Sequence, residues 1–309
     1  MPELLVVSQH AQSFAEILER EQLPGLSTRY VETTEQALTL CGQAEIMFGA
    51  PDRLAPLLAH SPKLKWVQSS WAGVKPLVDA TGTPQFCLTG VKGIFGALMS
   101  EYVLGWLLAL ERGILTRASQ KAWDNTPDRS LQGKHLGIMG TGSIGAHVAN
   151  SASHFGLKTR GLNTQGREVA GFDRCFAHSN ISEFASGLDY LVALLPDTDA
   201  TNAIVNSELL ARLNTGAILI NAGRANCLLE SDLLQALASG QLASAVLDVT
   251  REEPLPTESP LWQVDGLYIT SHTSAPTSTQ AIVEVFCDNY RRYSAGKALR
   301  YAVDFERGY

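Results

Sequence analysis

Three observations predict a two-domain α/β protein built on doubly wound parallel sheets. Short apolar runs alternate with segments of helical periodicity along nearly the whole chain, the pattern of strands joined by right-handed crossovers. The 309 residues amount to about two domains at roughly 150 residues each, and each can bury a core of its own. Two long helical stretches, about 98–118 and 278–294, interrupt the alternation as connections between domains would.

In chain order, strands are expected at 4–7, 46–48, 64–68, 136–139, 188–195, 217–221, 245–249 and 267–270, with a further one at 158–162. The segments 207–213 and 231–239 carry apolar residues at three and four spacing and read as crossover helices. Ser100 and Thr277 are the hydroxyl residues near the starts of the two long stretches and are candidate N-caps. The middle of the chain then forms one domain, 99–276, and the ends, 1–98 and 277–309, combine into the other. A cleft between domains is the expected ligand site.

Composition narrows the class. Apolar residues make up 45% and charged residues 18% of the chain, too hydrophobic for a disordered protein. Lys plus Arg is 24 against 31 Asp plus Glu, a formal charge of -7, which disfavours a phosphate backbone as main partner while leaving room for a local phosphate site. Cys41, Cys87, Cys175, Cys227 and Cys287 are too scattered for a metal knuckle or a redox pair. They read as reduced, buried thiols, and no metal is expected. Met1-Pro2-Glu3-Leu4 shows no signal-peptide pattern, and the most apolar run, 103–110, is far shorter than the roughly 20 residues a membrane span needs. A cytoplasmic protein with no nucleic-acid or membrane partner is expected.

The sharpest local signal is Gly140-Thr141-Gly142-Ser143-Ile144-Gly145, a G-x-G-x-x-G spacing between an expected strand and an expected helix. Gly140 permits the tight turn, Gly142 lets backbone amides approach a pyrophosphate, and Gly145 lets helix and sheet pack closely. The helix N-terminus adds partial positive charge. At the end of the next strand, where an acid would hold the adenosine ribose, stands Asn163, followed by Thr164 and Arg167. Asn cannot repel a 2'-phosphate as Asp would, so NADP(H) is preferred over NAD(H), with Thr164 and Arg167 as phosphate ligands. The alternative has Asn163 on a ribose hydroxyl and Arg167 solvated.

Arg224, Glu253 and His272 each follow an expected strand, and ligands of open parallel sheets bind beyond the carboxyl ends of strands. Singly, each could be an ordinary loop or strand-end residue. Jointly they suit reduction of a 2-keto acid, which needs a cation for the carboxylate and carbonyl, a proton donor, and a nicotinamide for the hydride. Arg224 offers a planar charged fork, His272 a group that exchanges protons near neutral pH, and Glu253 a partner that fixes the ring tautomer and favours the imidazolium. His10, His60, His135, His147, His154 and His178 have no such partners in sequence and read as structural or exposed.

These residues, with Leu194-Leu195-Pro196-Asp197-Thr198-Asp199-Ala200-Thr201, Asn221-Ala222-Gly223-Arg224, Asp248, Glu253-Pro254-Leu255-Pro256 and Ser271-His272, resemble the D-isomer-specific 2-hydroxyacid dehydrogenases over most of the chain. Trp71-Ala72-Gly73-Val74 and 95–102 resemble the glyoxylate/hydroxypyruvate reductase subgroup. The resemblance implies a Rossmann-type cofactor domain inserted in a flavodoxin-like substrate domain. It implies Arg224 as the substrate-orienting cation, His272 as the acid/base and Glu253 as its partner. It implies dinucleotide contacts from Leu195, Pro196, Thr201, Ala222, Gly223 and Asp248, substrate-carboxylate contacts from amides near Ala72, Gly73 and Val74, and a homodimer through the cofactor domains. Ala225 and Leu229 depart from the family pattern, which bears on loop geometry rather than on chemistry. Trp71 either crowds the pocket toward two- and three-carbon acids or packs between domains. The expected activity is NAD(P)H-dependent reduction of a small 2-keto acid to the D-2-hydroxy acid. The competing readings are a phosphite- or formate-type dehydrogenase, the latter disfavoured by Glu253 where formate enzymes carry Gln, and a non-catalytic NAD(P)-sensing protein.

Overall fold

The computed structural model describes residues 1–82 and 84–308. The chain divides into two compact units, Met1–Ile94 with Thr277–Tyr309, and Phe95–Pro276, the second inserted in the chain of the first.

The first unit holds five parallel strands, β1 (Glu3–Val7), β2 (Ser27–Val31), β3 (Ile46–Gly49), β4 (Trp66–Ser69) and β5 (Cys87–Thr89), in the order β2-β1-β3-β4-β5. That is the flavodoxin-like order. The second holds seven, β6 (His135–Met139), β7 (Lys158–Asn163), β8 (Arg174–Ala177), β9 (Tyr190–Ala193), β10 (Ala217–Asn221), β11 (Leu242–Leu247) and β12 (Leu267–Ile269), in the order β12-β11-β10-β9-β6-β7-β8. All its pairs are parallel, and the order reverses between β6 and β9, as in a Rossmann-type sheet.

The central strands of the second unit are apolar on both faces because helices cover both. Leu191 and Leu219 join Met139, Phe184 and Leu233 in one core. Val192, Ile218 and Ile220 join Leu136, Ile138, Val103 and Val148 in the other. Strands buried on both faces read as unbroken apolar runs in sequence, which is why they were legible there. β2, β5 and β8 lie outside the expected strands, and all three run at sheet edges. An edge strand is covered on one side only, and Ser27-Thr28-Arg29 or Arg174 can remain polar without cost.

Two helical expectations need correction. The stretch 98–118 is not one helix: Gly96–Glu111 and Ile114–Ala118 are separated at Gly113, whose φ of 58° is left-handed. Neither expected cap is one. Ser100 lies inside the first helix, its hydroxyl donating to the Gly96 carbonyl at 2.8 Å. The helix Thr279–Ser294 is capped by Ser278, whose Oγ accepts from the Ala281 N–H. The five cysteines are free thiols, and Cys87 is half-buried where the other four are buried. Among the described residues no helix is long and apolar enough to cross a membrane, and no group of three or more His, Cys, Asp or Glu is placed to hold a metal.

Leu219 in β10 is fully buried. Leu219→Ala is expected to destabilise the second unit by about 2–5 kcal/mol, and Leu219→Met by less than about 1.5 kcal/mol. An unchanged thermal midpoint in Leu219→Ala would refute the placement of this side chain in the core.

Candidate active site

The second sheet's switch point carries the glycine turn. Gly140 has a φ of 103°, and a Cβ there would lie 2.7 Å from the Leu194 carbonyl oxygen. A Cβ on Gly145 would lie 2.0 Å from the Gly140 carbonyl oxygen, so this crossing of turn and helix admits only glycine. Gly142, the N-cap of the helix Ser143–Ser153, differs: a Cβ there would meet nothing within 4 Å. The turn leaves open space in front of a helix N-terminus whose first N–H groups lack intrahelical partners. That cradle fits a dinucleotide pyrophosphate.

Asn163 ends β7 as expected, but its side chain is used inside its own loop. Its Nδ2 donates to Thr141 Oγ1 at 3.1 Å and to the Arg167 carbonyl at 2.8 Å. Its Oδ1 accepts the Gln165 and Arg167 N–H groups at 3.2 and 3.0 Å. Asn163 therefore staples the loop 163–167 to the glycine turn, and what the loop presents outward is the exposed Thr164 and Arg167.

Beyond β9, Leu195 and Pro196 are half-buried, and Thr201 Oγ1 lies 2.7 Å from the Pro196 carbonyl, holding the turn that follows. Beyond β10, Ala222 and Gly223 are buried. The buried Asn221 shapes this turn: its Oδ1 accepts the Gly223 N–H at 3.2 Å and its Nδ2 donates to the Arg224 carbonyl at 3.2 Å. Arg224 Nη1 donates to the Gly223 carbonyl at 2.7 Å. That bond orients the guanidinium and leaves further N–H groups of the fork for a ligand. Ala225, where the family pattern is broken, opens a short 3-10 turn, Ala225–Cys227, with Leu229 two residues beyond its end, and the Arg224 backbone before it is extended.

Beyond β11 and β12, Glu253 and His272 meet. His272 Nδ1 and Glu253 Oε2 are 2.9 Å apart, and Glu253 Oε1 accepts the Thr250 N–H at 3.1 Å. A carboxylate only accepts, so the shared hydrogen sits on Nδ1 and Nε2 is the ring atom left for chemistry. Ser271 and His272 both have left-handed backbones, with φ of 52° and 58°. Such residues cost on the order of 1–3 kcal/mol each and persist where surrounding bonds over-determine them. Here the bonds come from Asp248, which is 2% exposed. Its carbonyl accepts the His272 N–H at 2.6 Å. Its Oδ1 accepts the Thr273 and Ser274 N–H groups at 2.8 and 3.1 Å and the Thr270 hydroxyl at 2.7 Å. Asp248, expected on cofactor grounds, is thus the anchor of the loop that carries His272. Thr250 and Thr270 carry no motif signal and are identified only by the bonds they make, while Asn221 stands in the motif Asn221-Ala222-Gly223-Arg224 and the structure shows it bonding the turn.

In the first unit the loop 71–74 follows β4. Ser69 Oγ accepts the Trp71 N–H at 3.0 Å and lies 2.8 Å from its carbonyl. The Trp71 amide is therefore occupied, and the amides of Ala72, Gly73 and Val74 are the ones a ligand could use. The Trp71 side chain is 44% exposed and Val74 is buried. Of the remaining histidines, His10, His60, His147, His154 and His178 are exposed, and half-buried His135 lies 3.9 Å from Asp189.

Comparisons with known proteins give the family. The family model described as D-isomer specific 2-hydroxyacid dehydrogenase, NAD binding domain, matches residues 104–274. Glyoxylate/hydroxypyruvate reductase A of Yersinia enterocolitica is 32% identical over 267 residues, covering 82% of this chain and 84% of that protein. A D-isomer specific 2-hydroxyacid dehydrogenase family protein of Aeromonas salmonicida is 42% identical, with a TM-score of 0.90 over 98% of this chain and 99% of its own. An NADPH-dependent glyoxylate/hydroxypyruvate reductase of Sinorhizobium meliloti, solved with NADP and sulfate, is 27% identical, with a TM-score of 0.87 over 100% of both chains. With a glycine turn at the switch point, a histidine bonded to a glutamate beyond the same sheet, and a match that spans more than half its length, the chain belongs to the D-isomer-specific 2-hydroxyacid dehydrogenase family.

Proposed function

We propose that this chain is an NADPH-dependent reductase of glyoxylate, hydroxypyruvate or a similarly small 2-keto acid, giving the D-2-hydroxy acid where a stereocentre forms. The observation that carries this reading is the 2.9 Å pair of His272 and Glu253, set beyond the carboxyl ends of β11 and β12 in the sheet whose β10 leads to Arg224 and whose β6 leads to the dinucleotide turn. The names of the Yersinia and Sinorhizobium relatives support the substrate class.

In this reading the unit Phe95–Pro276 takes the dinucleotide, held by the turn Gly140 to Gly145 and by Leu195, Pro196, Thr201, Ala222 and Gly223. The bound nicotinamide supplies the hydride that no side chain can. Arg224 pairs with the carboxylate of the keto acid and polarises its carbonyl. His272 Nε2 gives the proton that the new alkoxide takes up, and Glu253 holds the ring with Nδ1 protonated throughout. Replacing Glu253 by an amide would leave that choice of tautomer unenforced. Within the first unit, the amides of Ala72, Gly73 and Val74 are the groups available to receive a substrate carboxylate.

Purified protein is expected to oxidise NADPH when given glyoxylate or hydroxypyruvate, and His272→Asn is expected to lose about 10²-fold to 10⁴-fold in kcat/KM. Tight NADPH binding with no acceptor reduced would instead identify a dinucleotide-sensing protein, and full turnover in His272→Asn would remove that residue from the chemistry.

Cofactor preference follows from the loop 163–167, which offers Thr164 and Arg167 and no carboxylate at its first position. Wild type is expected to favour NADPH over NADH in kcat/KM, and Arg167→Ala to lower that ratio by about tenfold, the loss of one charge-assisted contact. An unchanged ratio would show that Arg167 does not read the 2'-phosphate.

Homodimerisation is part of the same proposal. Ile114, Leu115 and Trp123 expose 51%, 44% and 94% of their surface. The segment carrying Trp123 is held in place by Arg117, which donates to Asp128 Oδ1 at 2.9 Å, the Asp124 carbonyl at 3.1 Å and the Thr126 carbonyl at 2.5 Å. An ordered segment with an exposed tryptophan suits a partner subunit. Sedimentation should give twice the 33.3 kDa chain mass and Trp123→Asp should shift it toward monomer; a monomeric wild type at micromolar concentration would refute the assignment.

A further inference from the structure

The loop that carries His272 is tied to the helix Gly96–Glu111 of the same unit. Tyr102, on the helix Gly96–Glu111, places its hydroxyl 2.7 Å from Thr270 Oγ1. Thr270 Oγ1 donates its one hydrogen to Asp248 Oδ1 at 2.7 Å. That hydrogen is therefore unavailable to Tyr102, and the phenol must be the donor in the first bond. Burial foremost, and then the charge of Asp248, push the Tyr102 hydroxyl up from its ordinary value against the opposing effect of the Thr270 bond, so the phenol keeps its hydrogen. The direction of the chain is fixed: Tyr102 donates to Thr270, Thr270 to Asp248, and the Asp248 carboxylate also receives the Thr273 and Ser274 amides on the far side of His272. A second contact holds the same helix to β12, since Trp106 packs on Tyr268 with ring centroids 5.1 Å apart. Tyr268 lies two residues before Thr270.

We propose that Tyr102 and Thr270 are positioning residues for His272. They hold the left-handed pair Ser271 and His272 in register by clamping the Asp248 carboxylate against the loop, and so set where the imidazole stands. The inference rests on the reading of His272 as proton donor. It assigns the hydroxyls, rather than the bulk, of both residues to that task. A displacement on the order of 1 Å at a reacting group can cost about 10²-fold in rate, so a partial loss of the clamp is expected to act on turnover rather than on binding.

The test is steady-state kinetics with NADPH and glyoxylate or hydroxypyruvate on the full chain, with thermal midpoints recorded for every variant. Tyr102→Phe and Thr270→Val are each expected to lower kcat roughly tenfold, with KM for the keto acid and Kd for NADPH within about twofold of wild type. Thr270→Ser, which keeps the hydroxyl, is expected to retain kcat. In a His272→Asn background, Tyr102→Phe is expected to have no further effect, because the group it positions is gone. Full kcat in Tyr102→Phe, a Thr270→Ser variant as slow as Thr270→Val, or an undiminished Tyr102→Phe effect in the His272→Asn background would each overturn the positioning role while leaving the proton-donor reading intact. An undiminished kcat in His272→Asn alone would overturn that reading instead.

Discussion

The buried carboxylate of Asp248 is the constraint on which the rest of the site depends. It stands just past β11, and by its main chain and its side chain together it determines the path of the loop after β12. Two consecutive left-handed residues, Ser271 and His272, are an unfavourable way for a chain to run, on the order of a few kcal/mol for the pair. Hydrogen bonds to a charged group contribute about 1.5–3 kcal/mol each, and Asp248 receives several, enough to hold the bend. A carboxylate at 2% exposure would itself be costly to bury without those donors. Loop and anchor are therefore mutually dependent: the amides make the carboxylate tolerable and the carboxylate makes the bend tolerable.

The same economy recurs along the strand ends. Asn221 bonds the turn that presents Arg224, Asn163 bonds the loop that presents Arg167, and Ser69 bonds the turn that presents Trp71. In each case a short polar side chain satisfies backbone groups that the ended strand leaves open, and a larger side chain is projected from the result. Loops organised this way are not passive connections. They are supports whose cost is borne by the parallel sheet beneath them, where strands buried on both faces supply the rigidity that loops alone lack.

Much of this was legible in the sequence because the signals are local. The Gly140 to Gly145 turn is marked by a glycine spacing within six residues, although the atom that excludes a side chain at Gly140 is the distant Leu194 carbonyl oxygen, and the central strands are marked by runs of apolar side chains. Edge strands β2, β5 and β8 were not legible: partial exposure permits polar residues in β2 and at the start of β8, and β5 is only three residues long. The helix break at Gly113 and the cap at Ser278 turned on single residues, which is finer than periodicity resolves. Asn163 was correctly placed at the end of β7, yet its partners Thr141 and Arg167 could not be told from a ligand's hydroxyls by position alone.

What the sequence determined by itself is the set of chemical groups and the strand ends from which they project: a glycine turn, an arginine, a glutamate and a histidine beyond a parallel sheet. These follow from short-range pattern and from the rule that such sheets bind ligands at their carboxyl edges. What only the tertiary structure decided is which groups touch. Glu253 and His272 are 19 residues apart and meet at 2.9 Å; Tyr102 and Thr270 are 168 apart and meet at 2.7 Å. Hydrogen bonds of this kind depend on position to within a few tenths of an ångström. That precision comes from how helices and strands pack against one another, and no pattern along the chain encodes it.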